Sequence, residues 1–192
     1  VAIAHAGPQK LVEASSISHF MEEDGLKCFV DRHMERWQGP PRDQMRTAFE
    51  TSRHIVVLLT TEFLDRKHPC DELIYAYKRN EWLRAHGYYD SLCIILFRVT
   101  VDEFKEARKK NPELPPLDKT NVCMEWADGK SNCNDWTKSC RELSEKTLSC
   151  DAEQAMEGWK RLLEDLNTEK AKDFPKADGL YIQDHGDAGE DV

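Results

Sequence analysis

Three segments of the sequence carry side chains that could do chemistry. They are residues 5–8, residues 31–41 and the segment that leads into Glu72. A carboxylate such as Glu72 can stabilise positive charge that develops during a reaction. His5 could contact a ligand, although a surface histidine is an equal alternative. Whether these segments act together depends on the fold that positions them.

Glu72 itself has two interpretations. Pro69 is expected at the first position of a helix, which places Glu72 in the first turn of that helix. There the carboxylate could act on a ligand, or it could only complement the positive end of the helix dipole, as Asp71 could too. Cys70 has no paired base that would make it a nucleophile.

The elements around these segments follow from the pattern of apolar residues. Short apolar runs alternate with amphipathic segments, which predicts a parallel sheet flanked by helices. The run 55–59 lacks polar alternation, as is typical of a central strand covered on both faces. We expect five strands, at residues 1–4, 26–30, 55–59, 91–97 and 121–126. The fold class is therefore α/β, a flavodoxin-like three-layer sandwich with a five-stranded parallel sheet and helices on both faces.

Helix boundaries are expected at glycines and prolines. Gly25 and Gly87 lie where helices should end, and Pro41 can open a helix. Residues 60–68 are interpreted as a loop. Residues 100–103 form a capping box for a further helix.

In such sheets, ligands bind outside the carboxyl ends of the strands. The three chemical segments lie after the first, second and third predicted strands, so they should meet at one edge. The sequence contains neither a G-x-G-x-x-G nor a G-x-x-x-x-G-K-[ST] phosphate loop. Thr60 stands where a receiver domain would need a phosphorylatable Asp. These nucleotide-binding and receiver classes are therefore excluded.

Composition narrows the partners further. The formal charge is −9, from 27 basic and 36 acidic residues, so no nucleic acid is expected as a partner. No apolar run approaches the ~20 residues of a membrane-spanning helix, and no membrane association is expected. The seven cysteines contain no C-x-x-C pair, so we expect free thiols in a reducing cytoplasm, and no metal.

The chain is expected to form one domain over residues 1–170. A polar insertion lies near residues 127–150, with one helix around residues 136–146. Residues 171–192 are predicted to be a flexible C-terminal tail, because they are rich in Gly, Asp and Pro. The sequence does not begin with Met, so we expect it to be a segment of a longer protein.

Four segments, in order and at the expected intervals, resemble motifs of the TIR (Toll/interleukin receptor) domain family. They are Ile3-Ala4-His5-Ala6-Gly7, Phe29-Val30-Asp31-Arg32 followed by Gly39, Ala48-Phe49-Glu50-Thr51-Ser52 with the strand after it, and Pro69-Cys70-Asp71-Glu72-Leu73. The last is similar to the W-C-L-x-E-L box of plant-type TIR domains. The resemblance covers residues 1–126 and fits the plant-type or bacterial-like, NAD⁺-cleaving subgroup.

The resemblance implies an NAD⁺ nucleosidase of immune or cell-death signalling that self-association activates. Glu72 would be the catalytic carboxylate, and NAD⁺ would be a substrate, with no cofactor required. The products would be nicotinamide and linear or cyclic ADP-ribose. Substrate-binding residues would be His5, Ala6, Gly7, Phe29, Asp31, Trp37, Ser52 and His68. The self-association surface would be the BB loop, made of Arg32, His33, Met34, Glu35, Arg36, Trp37, Gln38 and Gly39.

The sequence departs from this family pattern at two positions. His68 replaces the Trp that packs beside the dinucleotide, and Ala6 replaces a frequent Arg, which removes a phosphate donor. Trp37 could substitute for the missing ring or could be an interface aromatic. Ser52 could bond Glu72 or the ribose, or could cap local backbone. A non-catalytic adaptor acting by TIR–TIR contact and a nucleotide-sensing module therefore remain alternatives.

Overall fold

The structure, a computed structural model, describes most of the chain. The described residues are 1–7, 12–30, 41–117, 122–126, 138, 140–142 and 152–180. Predictions for Asp31, for Trp37 and for the other BB-loop residues, 32–39, lie outside the described residues.

The described sheet has four parallel strands, not the predicted five. They are β1 (Ala2–Ala4), β2 (Ile55–Leu59), β3 (Leu92–Phe97) and β4 (Val122–Trp126), in the order β1-β2-β3-β4. Of the predicted strand 26–30, only Phe29 pairs, in an isolated parallel bridge with Ala2. Pairing with β1 does not start at Leu26, because the Leu26 N–H still bonds the Met21 carbonyl at the end of α1, at 2.9 Å. The bridge nevertheless places Phe29 on the outer side of β1. When the Phe29 segment is counted as the second of five strands in chain order, the strand order is the flavodoxin-like 2-1-3-4-5.

Six α-helices are bounded within the described residues. They are α1 (Glu13–Glu23), α2 (Pro41–Thr51), α3 (Thr61–Leu64), α4 (Lys67–Ala85), α5 (Val101–Lys110) and α6 (Ala152–Asp165). The capping box of α5 is present, and Gly87 closes α4 with φ 68°. The Tyr88 N–H then bonds the Leu83 carbonyl at 2.9 Å, which completes a Schellman motif. None of these helices is both long and apolar enough to cross a membrane.

One helix was not predicted. Residues 60–68 were expected to be a loop, but α3 occupies part of this segment. Its N-cap is Thr60, whose hydroxyl accepts a hydrogen bond from the Phe63 N–H at 3.0 Å. Threonine satisfies an unpaired N–H well at this position, so Thr60 starts a helix that the short apolar pattern did not indicate.

Apolar clusters cover both faces of the sheet, as the three-layer prediction requires. On one face Ile55, Val57 and Leu59 belong to a cluster with side chains of α2, α3 and α4. On the other, Val56 and Leu58 belong to a cluster with α1 and with Cys140. All five β2 residues are buried, which agrees with the apolar run of that strand. Cys140 lies in the predicted polar insertion, so that segment also contributes to the core.

Residues 168–180, here named the C-terminal strap, correct the prediction of a flexible tail from residue 171. Ala177 and Leu180 join the cluster under α2 and α4. The Arg46 Nε donates to the Leu180 carbonyl at 2.8 Å, and the Ala177 N–H donates to the Glu50 carboxylate at 2.8 Å. Composition suggested disorder, but a few buried apolar side chains and these two bonds order the strap.

His54 is a buried histidine at the amino edge of β2. Its side chain is 4% exposed, and its ring meets the edge of Tyr89 with centroids 5.8 Å apart. Burial, together with the nearby Arg53 cation, lowers the pKa of His54 to about 3. The folded protein therefore holds this imidazole neutral over most of the acidic range.

This burial predicts acid sensitivity. The unfolded chain takes up a proton at His54 near its ordinary pKa, while the folded protein does so only near pH 3. Folding stability should therefore fall as the pH drops from about 6.5 to about 3, by up to about 1.4 kcal/mol per pH unit. Urea unfolding at several pH values checks this. His54→Gln should flatten the dependence, whereas the same change at exposed His19 should not.

Candidate functional site

The carboxyl ends of β1, β2 and β3 meet at one edge of the sheet. Ala4 pairs with Val57, and Leu59 pairs with Leu96, so the strands end close to the same level. His5, Thr60 and Arg98 follow the three strands at this edge or just beyond it. Arg98 has φ 54°, a left-handed conformation that is costly for a residue with a Cβ. The predicted edge therefore exists and holds polar residues.

The three predicted site residues in the loop after β1, His5, Ala6 and Gly7, differ in burial and in backbone conformation. His5 is half-buried, and Ala6 is 2% exposed within the apolar cluster that also contains Leu59. The Ala6 side chain is thus core packing, and its methyl group offers a ligand no polar contact. Gly7 has φ 58°, so the loop turns there through a conformation that favours glycine.

The open side of Gly7 is occupied by a carboxylate. A Cβ built on Gly7 would lie 2.5 Å from Oε1 and 2.7 Å from Oε2 of Glu62. The same Oε1 accepts a hydrogen bond from Nη2 of Arg66 at 3.2 Å. Both side chains are partly solvent-exposed. Gly7 and Arg66 therefore converge on a single oxygen of Glu62.

Cys70 links α4 to α3, the helix that carries Glu62. Its thiol is buried and donates to the carbonyls of Phe63 and Leu64, at 3.6 and 3.5 Å. Burial, followed by the charges of Asp71 and Asp65, raises the pKa of Cys70 to about 11. The thiol stays protonated near neutral pH and is a structural group, consistent with the absence of a paired base in the sequence.

Glu72 lies deeper in α4 than predicted. The helix begins at Lys67, so Pro69 is its third residue and Glu72 its sixth, in the second turn. The helix dipole acts mainly within the first turn, and the first turn of α4 contains no acidic residue. Glu72 is also 5% exposed. A buried carboxylate in the second turn does not fit the alternative of a surface side chain that complements the dipole.

His68 lies one turn before Glu72, on the same face of α4. Side chains four residues apart on a helix are neighbours, with Cβ atoms about 6 Å apart. His68 is exposed while Glu72 is buried. The two predicted residues therefore form an outer and an inner position along one face at the start of α4.

Ser52 and Phe29 do not join this arrangement. Ser52 precedes β2 and so lies at the amino edge of the sheet, opposite the edge where α4 begins. Its carbonyl accepts a hydrogen bond from Arg79 at 2.6 Å, two helical turns beyond Glu72. This placement favours the alternative of a local structural role for Ser52 over a bond to Glu72. Phe29 is 5% exposed and belongs to the core beside β1.

Glu62 and Arg66 are the residues that the sequence analysis missed. They lie in the segment interpreted as a loop, where the spacing of charged residues does not predict which side chains are neighbours. Two signals were available in the sequence. Thr60 is a favourable N-cap residue, and the spacing of four residues between Glu62 and Arg66 is that of an ion pair on a helix.

A separate groove of about 490 Å³ lies at the other end of the molecule. It is lined by Gly87, Tyr88 and residues of α6, and Tyr88 precedes β3 at the amino edge. No predicted site residue lines it, and parallel sheets bind ligands at the opposite edge. In the part of the chain that the structure describes, no cluster of His, Cys, Asp or Glu side chains could hold a metal ion.

Strand order and site together define a class of protein, a doubly wound α/β domain with a buried carboxylate at the carboxyl edge of its sheet. Residues 1–143 match the profile of the TIR domain family, and the chain belongs to that family. A comparison with curated proteins finds no match. TIR domains act in signalling or NAD⁺ cleavage and commonly associate with one another.

Proposed function

We propose that this TIR domain is an NAD⁺ nucleosidase and that Glu72 is its catalytic carboxylate. The observation that carries the proposal is the position of Glu72, buried in the second turn of the helix that starts at the carboxyl edge of the sheet. Keeping a carboxylate buried costs free energy, so buried acids are concentrated where a protein uses them.

The reaction needs only one carboxylate. The bond between C1′ of the ribose and the nicotinamide nitrogen breaks, and its electron pair leaves with the nicotinamide, which departs as a neutral molecule. Ordinary glycosidases need a second acid because their leaving group must be protonated. Here the charge that develops lies on the ribose, where the Glu72 carboxylate stabilises it. Water then adds to C1′ and loses a proton, which gives ADP-ribose; attack by the adenine gives the cyclic product.

Other residues would bind the substrate. In this proposal His68 lies over the mouth of the site, one turn outside Glu72, and takes the place of the family's Trp. His5 and Gly7 approach the ligand from the loop after β1. Residues 31–41 of a neighbouring copy would complete the site, so turnover would depend on self-association in the cytoplasm. Its products would signal in immunity or cell death.

The test is nicotinamide release from NAD⁺ at increasing protein concentration, with light scattering in parallel. Release per molecule should rise steeply over the range in which the domain self-associates. A matched sample should carry Trp37→Ala in the BB loop, which should lower both self-association and release. Self-association without release at any concentration would contradict the nucleosidase and leave an adaptor that acts by TIR–TIR contact.

A further inference from the structure

The oxygen on which Gly7 and Arg66 converge marks an oxyanion position at the carboxyl edge. A Cβ on Gly7 would stand 2.5 Å from Oε1 of Glu62, and Nη2 of Arg66 lies 3.2 Å from that same atom. One side of the position is a backbone surface without a side chain. The other is a guanidinium, whose planar N–H groups match carboxylate and phosphate oxygens.

We propose that Arg66 is the phosphate-binding cation of this domain, and that Glu62 holds the place of a substrate phosphate in the unliganded protein. The ligand class is a nucleoside diphosphate, and the inference rests on the proposed function for its substrate. Ala6 supplies no cation from the loop after β1, because its side chain is an uncharged methyl group, which is buried in the core. Arg66, from the start of α4, supplies one at the same loop.

Glu62 can leave its position at little cost. The Glu62 and Arg66 side chains are 38% and 52% exposed, and ion pairs exposed to this degree contribute little to stability. A diphosphate carries more charge than a carboxylate and offers several oxygens to one guanidinium. The phosphate therefore displaces the Glu62 carboxylate, which swings into solvent, while Arg66 stays in place and changes its partner.

Gly7 is required for this exchange. Any side chain there would occupy the space of the anion and would also be strained, since φ is 58°. Arg66 is the N-cap of α4 but makes no side-chain capping bond there, so removing its side chain should leave the helix intact. The binding role of Arg66 can therefore be tested without unfolding its surroundings.

The experiment is calorimetric titration of the whole chain with ADP-ribose, which cannot release nicotinamide. Arg66→Ala should weaken binding about tenfold or more, and Arg66→Lys should recover part of the loss. Glu62→Ala should tighten binding a few-fold, because it removes the competing anion. Arg84→Ala and Glu81→Ala provide the matched control, an ion pair of 3.6 Å near the other end of the same helix, and should change nothing.

The opposite signs for Glu62 and Arg66 make the outcome decisive. No binding of ADP-ribose by the wild type, equal binding by all variants, or weaker binding by Glu62→Ala would overturn the inference. Inorganic pyrophosphate as a competitor separates a general anion position from one that needs the nucleoside. Tight binding with the expected signs, but without nicotinamide release from NAD⁺ by the self-associated protein, would refute the proposed nucleosidase and leave the phosphate position standing.

Discussion

Replacing Glu72 with Gln should reduce nicotinamide release about a thousandfold while the domain stays folded. Gln has nearly the same shape, so the buried volume in the second turn of α4 is kept. What is lost is the negative charge that stabilises the ribose cation, and the loss of one such group costs about 10²–10³ in rate. Because substrate contacts remain, we expect the fall in kcat rather than a rise in KM.

The matched control is Asp71→Asn, which removes the same charge from the adjacent residue. Asp71 is half-buried and lies on a different side of α4. Its variant should keep most of the activity, since adjacent residues on a helix do not face the same way and Asp71 therefore does not share a face with Glu72. Equal release by wild type and Glu72→Gln would place the catalytic group elsewhere, and circular dichroism must show both variants folded.

Truncating Arg79 to Ala should lower the free energy of unfolding by about 2–5 kcal/mol. Arg79 is 0% exposed and is the largest fully buried side chain of the described residues. Its Nη2 donates to the Ser52 carbonyl at 2.6 Å, and its guanidinium lies 5.8 Å from the ring centre of Phe174 in the C-terminal strap. Ala would leave a cavity between α4 and the strap, and would leave a buried carbonyl unpaired.

Arg79→Met separates packing from charge. Met fills much of the same volume and removes the cost of burying a cation, so it should lose roughly 1–2 kcal/mol, chiefly for the Ser52 carbonyl. Urea unfolding measures both variants. If Met proved as harmful as Ala, the charge and its hydrogen bond would be the main contribution, and the packing argument would be wrong.

Much of the sheet could be predicted from local pattern. The apolar run of β2 indicated a central strand, and Gly87 and the capping box at Thr100 indicated where helices end and begin. These signals are local, because each depends on residues within one turn or one strand. The predicted second strand failed for the same reason. Its apolar residues are real, but Leu26 completes the end of α1, and the rest of the segment meets β1 only through the Lys27 carbonyl and Phe29.

The rest depended on contacts between distant segments. Nothing near Ala177 indicated that Glu50 and Arg46 would hold the strap. At the site, the family motif located Glu72, but its depth depended on where α4 begins. Glu62 could be placed at the site only because its carboxylate lies beside Gly7, which belongs to the loop after β1. Pairings of this kind come from the folded topology, and a single sequence does not reveal them.

The bonds from α2 to the strap span 134 and 127 residues of chain, and this has a consequence for how the domain is made. Closing such long loops is entropically unfavourable until most other contacts have formed, so the strap should dock last. During synthesis the apolar surface under α2 and α4 stays open until the ribosome has released Leu180. Chains halted before that point would expose this surface and be prone to aggregate. Docking of the C-terminal strap should thus be the step that finally covers the apolar surface under α2 and α4.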